Sequence, residues 1–396
     1  MLRYKSGSGI MNSAVDCSVD HTARQRRRRC VVVIVMAIYC LAIFFTLDFL
    51  YSRLSRAAPT IARMAHPVFH HTLRPNFDGY EAWGDRHYRL ITNGLGFKDS
   101  ATRDIALKSN TRRIVLIGDS FTEGIGMRFE DTFAGMLAAA GGQRSIKTEF
   151  LNAAVVSYSP TIYYRKIKFL LDNDVDFNEV IVFPDLSDVQ DEATGYFCFD
   201  DDPQYKPLCP RQIPTPQQVL QAKTLDDTMH SLGGYLQRNF AFTDALRYMV
   251  KFKLLEWSGT SRRDQLTPFP LIGWSVPRYN VGDAYNPLGV EGGITRALAH
   301  MQALAKLLAE RHIALTVVVY PWPLSLVQDD PGGRWVGMWR EFCVTSCRSF
   351  IDTFPDFIAA RDAHTDWYER YFIPGDFHFS RAGHRIVFDA LTKAGL

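Results

Sequence analysis

The stretch that decides the fold is RRIVLIGDSFTEG, residues 112–124. Arg113–Ile117 is a short continuous apolar run, which reads as a buried strand. It ends in Gly118-Asp119-Ser120, so a serine hydroxyl is delivered to the carboxyl edge of a sheet, beside the N-terminus of the next helix. The positive dipole end and the unpaired N–H groups there suit a developing anion. The same octapeptide also suits a tight strand-to-helix turn in which Ser120 merely caps the helix. Two rival motifs fail. No G-x-S-x-G elbow occurs in the chain, and Gly124-Ile125-Gly126 lacks the third glycine of a dinucleotide loop, with no G-x-x-x-x-G-K elsewhere.

From this strand outward, apolar runs and helical patterns alternate. Thr132–Ala140 reads as a helix, Lys147–Asn152 as a second strand, Pro160–Leu171 as a helix that Pro160 can start, and Glu179–Phe183 as a third strand. Gly292–Arg311 carries apolar residues at helical spacing and leads into a fourth strand, Ala314–Tyr320. Arg334–Cys347 reads as a helix, Ser349–Thr353 as a fifth strand and Arg381–Leu391 as the closing helix. This alternation predicts an α/β fold, a three-layer α/β/α arrangement around a five-stranded parallel, flavodoxin-like sheet. Residues 191–290 break the alternation and are expected to be an insertion over the strand ends, where open α/β sheets keep their sites. The main domain is therefore expected over residues 111–396, and residues 52–110 as a stalk with a small strand-and-turn element.

The N-terminus has a different character. Of 45 Lys and Arg and 42 Asp and Glu, residues 1–51 hold seven basic and three acidic side chains, so the net charge of +3 belongs to the tail. The body is near neutral and offers no footprint for nucleic acid. Residues 1–29 form a basic tail, followed by the apolar run Cys30–Leu47 (CVVVIVMAIYCLAIFFTL), extended to Tyr51 with only Asp48 charged. About twenty helical residues rise ~30 Å, the thickness of a hydrocarbon core. Arg26–Arg29 just before the run predict a cytoplasmic N-terminus. A cleaved signal peptide has a shorter apolar region, and the only small-x-small site here is Ser55-Arg56-Ala57. Residues 30–51 are thus expected to be an uncleaved anchor in the bilayer, with the domain on the oxidising side. The cysteines beyond it are Cys198, Cys209, Cys343 and Cys347, an even number that suits local disulfides 198–209 and 343–347. Neither pair has zinc-knuckle spacing, and no metal or cofactor is expected.

A second chemical cluster lies near the C-terminus, PGDFHFSRAGH, residues 374–384. A nucleophilic serine needs a base near neutral pKa, which histidine supplies, and a carboxylate on the far ring nitrogen fixes its tautomer. Asp376 and His378 can do both jobs from one turn. In the alternative, Asp376 caps the turn and His378 is a surface histidine; His384, inside the helix, competes as base.

With GDSF-TEG at 118–124 and DFH-FSRAGH at 376–384, the chain resembles the SGNH/GDSL hydrolase family over about residues 112–396. The resemblance implies Ser120 as nucleophile, His378 as base and Asp376 as its orienting carboxylate. Two family blocks are altered. Asn152-Ala-Ala-Val-Val-Ser157 has Ser157 where the family has glycine, and Asp185-Leu186-Ser187-Asp188 has Ser187 where it has asparagine. The oxyanion set implied is Ser120 N–H, Ser157 N–H and Ser187 Oγ, with a cost of ~10²–10³ in rate where one such donor is lost.

The resemblance further implies an acyl-ester hydrolase facing the periplasm or exterior of a bacterial inner membrane, acting on a small acyl group, with acetyl on a cell-surface glycan as the favoured substrate. Transfer of an acyl group received from a membrane partner differs only in the acceptor. A binding or assembly module that kept the fold without the chemistry is the alternative that Ser187 favours. His66, His70 and His71 read as packing residues rather than ligands, and Trp322 either as core or as a platform for a sugar ring.

Overall fold

The computed structural model describes residues 12–55, 62–199 (without 84–85 and 144–146), 206–208, scattered positions between 239 and 250, and 270–396 (without 277–278 and 329–331). Contacts divide the chain into two units, residues 1–56 with 228–248, and residues 57–227 with 249–396.

In the first unit, helix α1 (Asn12–Ser55) carries the apolar run. Its stretch Arg24–Arg53 is the one helix among the described residues long and apolar enough to cross a membrane. From Val31 to Leu47 its side chains are exposed.

The second unit opens with two antiparallel hairpins, β1 (Arg63–His66) with β2 (His70–Leu73), and β3 (Asp78–Trp83) with β4 (Arg86–Ile91). The sheet follows: β5 (Arg112–Gly118), β6 (Thr148–Asn152), β7 (Glu179–Phe183), β8 (Ala314–Val319) and β9 (Ser349–Asp352), all parallel in the order β6-β5-β7-β8-β9. The five central residues of β5 and all five of β7 are buried, because helices cover both faces of the sheet. On one side α3 (Phe133–Gly141) packs with α10 (Arg381–Lys393); α4 (Pro160–Asp172) and α5 (Asp188–Thr194) pack with α6 (Gly289–Ala309). Helix α7 (Gly333–Ser346) precedes β9, and α8 (Phe354–Ala363) and α9 (Trp367–Tyr371) lead to α10. The short helix α2 (Ser120–Glu123) follows β5 directly.

This is the three-layer α/β/α fold with the flavodoxin-like strand order expected from the alternation. Observed ends differ from the expected ones by a few residues, as capping dictates: Thr132 is the N-cap of α3, its side chain accepting from Gly135 N, rather than the first helical residue. The expected insertion begins inside ordered core, since α5 crosses residue 191 and Tyr196 and Phe197 are buried. Most of residues 200–269 lie outside the described residues. Strand β5 has β6 on one side and β7 on the other, so the chain leaves its carboxyl end at the point where the winding direction reverses. Open sheets split there into a crevice.

Candidate active site

Ser120 stands at that crevice. Asp119 caps α2, its carboxylate accepting from Phe121 N at 3.1 Å, and Gly124 closes the helix in the left-handed conformation (φ 74°), where a side chain would run into Thr132. Ser120 is therefore the first residue of a helix, with its own N–H free of any intrahelical acceptor.

The C-terminal turn meets it from the far end of the chain. His378 Nε2 lies 2.8 Å from Ser120 Oγ, and His378 Nδ1 lies 2.5 Å from Asp376 Oδ1. A carboxylate only accepts, so Nδ1 carries the proton and Nε2 presents its lone pair to the serine hydroxyl. The turn is fixed by its own backbone: His378 N donates to Asp376 Oδ1 (2.8 Å), and Tyr368 OH donates to Asp376 O (2.8 Å). Burial alone would raise the Asp376 pKa, but the His378 hydrogen bond and charge, with a smaller contribution from Trp83, hold it below the usual carboxylate range.

Trp83, at the end of β3, is the residue sequence reasoning missed. Its Nε1–H donates to Asp376 Oδ2 at 2.6 Å, and its ring stands edge-on to His378 at 5.2 Å. The two halves of the Asp376 carboxylate thus have separate anchors, Oδ1 from its own turn and Oδ2 from the hairpin ahead of the sheet. No spacing rule reveals a partner 293 residues away.

Ser120 Oγ has a second neighbour, Asp119 Oδ1 at 2.8 Å. Burial first, then the charge of Asp185, push Asp119 well above the ordinary carboxylate pKa. Ser120 Oγ donates to that oxygen, so Asp119 and His378 Nε2 compete for the same hydroxyl proton.

Ser157 has φ 61°, the left-handed region that the family's glycine would take freely. The preceding peptide is clamped from both sides: Val156 N donates to Glu123 Oε2 (2.7 Å), and His71 Nε2 donates to Val156 O (2.7 Å). Glu123 is held in turn by Arg63 Nη2 at 2.6 Å. With Tyr196 OH donating to Ser157 O, this cradle fixes the strained residue, and Ser157 N–H donates to no acceptor among the described residues. Ser187 differs. Its N–H and its hydroxyl both donate to Asp185 Oδ1, at 2.8 and 2.6 Å, while Asp185 Oδ2 accepts from Tyr320 OH and Trp322 Nε1.

His384 lies on α10, buried against Phe133 and Phe379, with Nδ1 unpartnered and its pKa lowered by burial to about 3. The structure does not bring it into hydrogen-bond contact with Ser120. Trp322 is buried, stacked on Phe377 at 4.1 Å, so it is core rather than an open platform. His66 stacks on Phe69 at 3.5 Å, and His70 Nδ1 meets His71 Nδ1 at 2.8 Å. Among the described residues no three His, Cys, Asp or Glu side chains converge as a metal site. Cys343 and Cys347 form a disulfide; Cys198 is disulfide-bonded too, and its expected partner Cys209 lies outside the described residues.

No family model and no curated protein matches the chain. Solved structures do. The acetyl xylan esterase AlAXEase is 12% identical, covering 72% of this chain and 100% of its own, with TM-score 0.40. A catalytic mutant of Axe2, an acetylxylan esterase from Geobacillus stearothermophilus, is 11% identical over 73% and 95%, with TM-score 0.37. A GDSL-like lipase from Bacteroides thetaiotaomicron is 11% identical over 73% and 91%, also at 0.37. Likeness this remote says nothing of activity, and the geometry of the site has to carry the functional reading.

Proposed function

We propose that the chain is a serine ester hydrolase of the SGNH/GDSL type, held in a bilayer by residues 30–51, with Ser120 as nucleophile, His378 as base and Asp376 as its orienting carboxylate. The observation that carries this is the continuous chain from Ser120 Oγ to His378 Nε2 (2.8 Å) and from His378 Nδ1 to Asp376 Oδ1 (2.5 Å). In the first step Ser120 Oγ attacks the acyl carbonyl while its proton passes to His378 Nε2, and Asp376 stabilises the imidazolium. The oxyanion takes Ser120 N–H and Ser157 N–H. Ser187 joins this set only by turning its hydroxyl away from Asp185. His378 then protonates the leaving alkoxide, and water resolves the acyl-enzyme.

The substrate we favour is an acetyl ester on a cell-surface glycan, met on the periplasmic or outer face of a bacterial inner membrane. An acceptor sugar hydroxyl in place of water, with the acyl group supplied by a membrane partner, makes the same machinery an O-acyltransferase. The binding-module alternative draws support from the Ser187 hydroxyl, which is committed to Asp185 at 2.6 Å. The deciding experiment incubates the full chain in lipid nanodiscs with a fluorophosphonate probe and with p-nitrophenyl acetate. Labelling at Ser120 and turnover, both abolished in Ser120→Ala and His378→Ala, are expected. Folded wild-type protein that takes up no probe and turns over no ester would give the answer to the binding module.

A further inference from the structure

The apolar run contains one charged residue, Asp48, and the structure explains it. Asp48 is 2% exposed, although the helix around it is open to its surroundings. Eighteen residues past Cys30, at 1.5 Å each, it sits ~27 Å along the span, close to the far end of a hydrocarbon core. Its carboxylate accepts from Phe242 N (2.9 Å), Thr243 N (2.8 Å) and Thr243 Oγ1 (2.7 Å). Ser52, one turn on and on the same face, is buried as well, and Arg53 Nη2 donates to Asn239 Oδ1 at 3.3 Å. Rings close the contact: Phe240 lies 6.0 Å from Phe45 and 5.9 Å from Phe49, and Phe242 lies 5.0 Å from Tyr51. A carboxylate at the edge of a span is costly unless donors meet it, and here backbone N–H groups of another segment do so.

That segment turns apolar side chains outward. Phe242 and Leu246, both helical and four residues apart, are 54% and 50% exposed. The exposure of Phe242, whose ring meets Tyr51, continues that of α1 at the level where aromatic residues flank a hydrocarbon core. We propose that the segment carrying Asn239, Phe240, Phe242, Thr243, Leu246 and Arg247 is a second membrane-contacting element, an interfacial segment latched to the anchor through Asp48, with Phe242 and Leu246 dipping into the acyl boundary of the outer leaflet. This rests on residues 30–51 spanning a bilayer, and it makes the bilayer the partner of the region expected as an insertion. Interfacial helices bind in this way, apolar face down in the headgroup boundary.

The test uses the full chain in nanodiscs, with Cys17, Cys30 and Cys40 replaced by Ser and an NBD fluorophore at Leu246→Cys, Ile38→Cys or Leu107→Cys. Nitroxide lipids should quench the probe at 246 at least twofold, and the probe at 38 likewise, but not the probe at 107. Quenching at 38 with 246 behaving like 107 overturns the interfacial segment and leaves the anchor standing. No quenching at 38 overturns the anchor, and the inference with it. In Asp48→Leu, quenching at 246 should fall to the level at 107 while that at 38 stays; in Asp48→Asn, which keeps one acceptor, it should be intermediate. Full quenching at 246 in Asp48→Leu overturns the latch.

Discussion

Replacing Trp83 by Phe removes one hydrogen bond and keeps the aromatic wall beside His378. The indole N–H is the donor to Asp376 Oδ2, at 2.6 Å, whereas Oδ1 keeps two donors from His378, its N–H at 2.8 Å and Nδ1 at 2.5 Å. The carboxylate therefore stays in place but gains freedom to rotate about its Oδ1 contacts. A hydrogen bond to a charged group is worth ~1.5–3 kcal/mol, and the Asp376 side chain is 20% exposed, so water replaces part of it. Taking the lower end, ~1.5 kcal/mol, the cost is just over tenfold in rate. That lies well inside the ~10⁴-fold typical of disabling a triad carboxylate outright. Steady-state turnover of p-nitrophenyl acetate by the full chain should show kcat down about tenfold with KM within twofold, and fluorophosphonate labelling slowed in proportion. Urea unfolding separates positioning from packing. Unchanged kcat, or a rate loss matched by a loss of stability and a raised KM, would refute the claim that Trp83 orients Asp376.

Ser187→Asn supplies a longer donor and leaves the backbone N–H of residue 187 on Asp185, so kcat should rise by roughly tenfold or more; a fall would show that bulk at this buried position outweighs the donor. His384 has its pKa depressed by burial to about 3, below the 6.5 of an unfolded histidine. The stability it preserves is whole above pH 6.5 and is lost as pH falls from there towards 3. Chemical denaturation between pH 7 and pH 4 should accordingly show wild type losing more stability than His384→Leu, and equal losses would refute the assignment. Peptide mapping without reductant should recover the 343–347 link and a 198–209 link, with four free thiols in exported protein counting against both. Removing the second should cost ~3 kcal/mol in a chain-entropy account.

The sheet was legible because its strands are buried on both faces. VIVF at 180–183 reads as unbroken apolar sequence since its side chains are inside, and the buried Glu179 before it is paired with Arg112 and Arg348. The hairpins at 63–91 were legible only as a strand-and-turn element without bounds, because they mix charge with aromatic residues: Tyr80 faces Arg89 and Glu81 faces Tyr88 across the ladder, and Tyr80 and Arg89 are exposed. Ser120, Asp376 and His378 were visible since each belongs to a short local motif. Trp83, Glu123 and His71 act through folding alone. Their roles depend on which segments meet, and no local spacing encodes that. Ser157 was visible as a substitution at a glycine position, but only the structure reveals the cradle that holds it at φ 61°.

The hydrogen bonds that join the site span 258 residues, from Ser120 to His378, and 293 residues, from Trp83 to Asp376. Synthesis runs from the N-terminus, so the hairpin and the nucleophile emerge well before the base. On the proposed mechanism a partly made chain carries a serine without a base and is chemically silent. Closing such long loops costs chain entropy, and α10, which follows the base, packs against α3. Synthesis through residue 378 thus becomes a condition of reactivity. A nonsense mutation anywhere before residue 376 should leave an inert remnant rather than an unregulated esterase, however much of the sheet has formed.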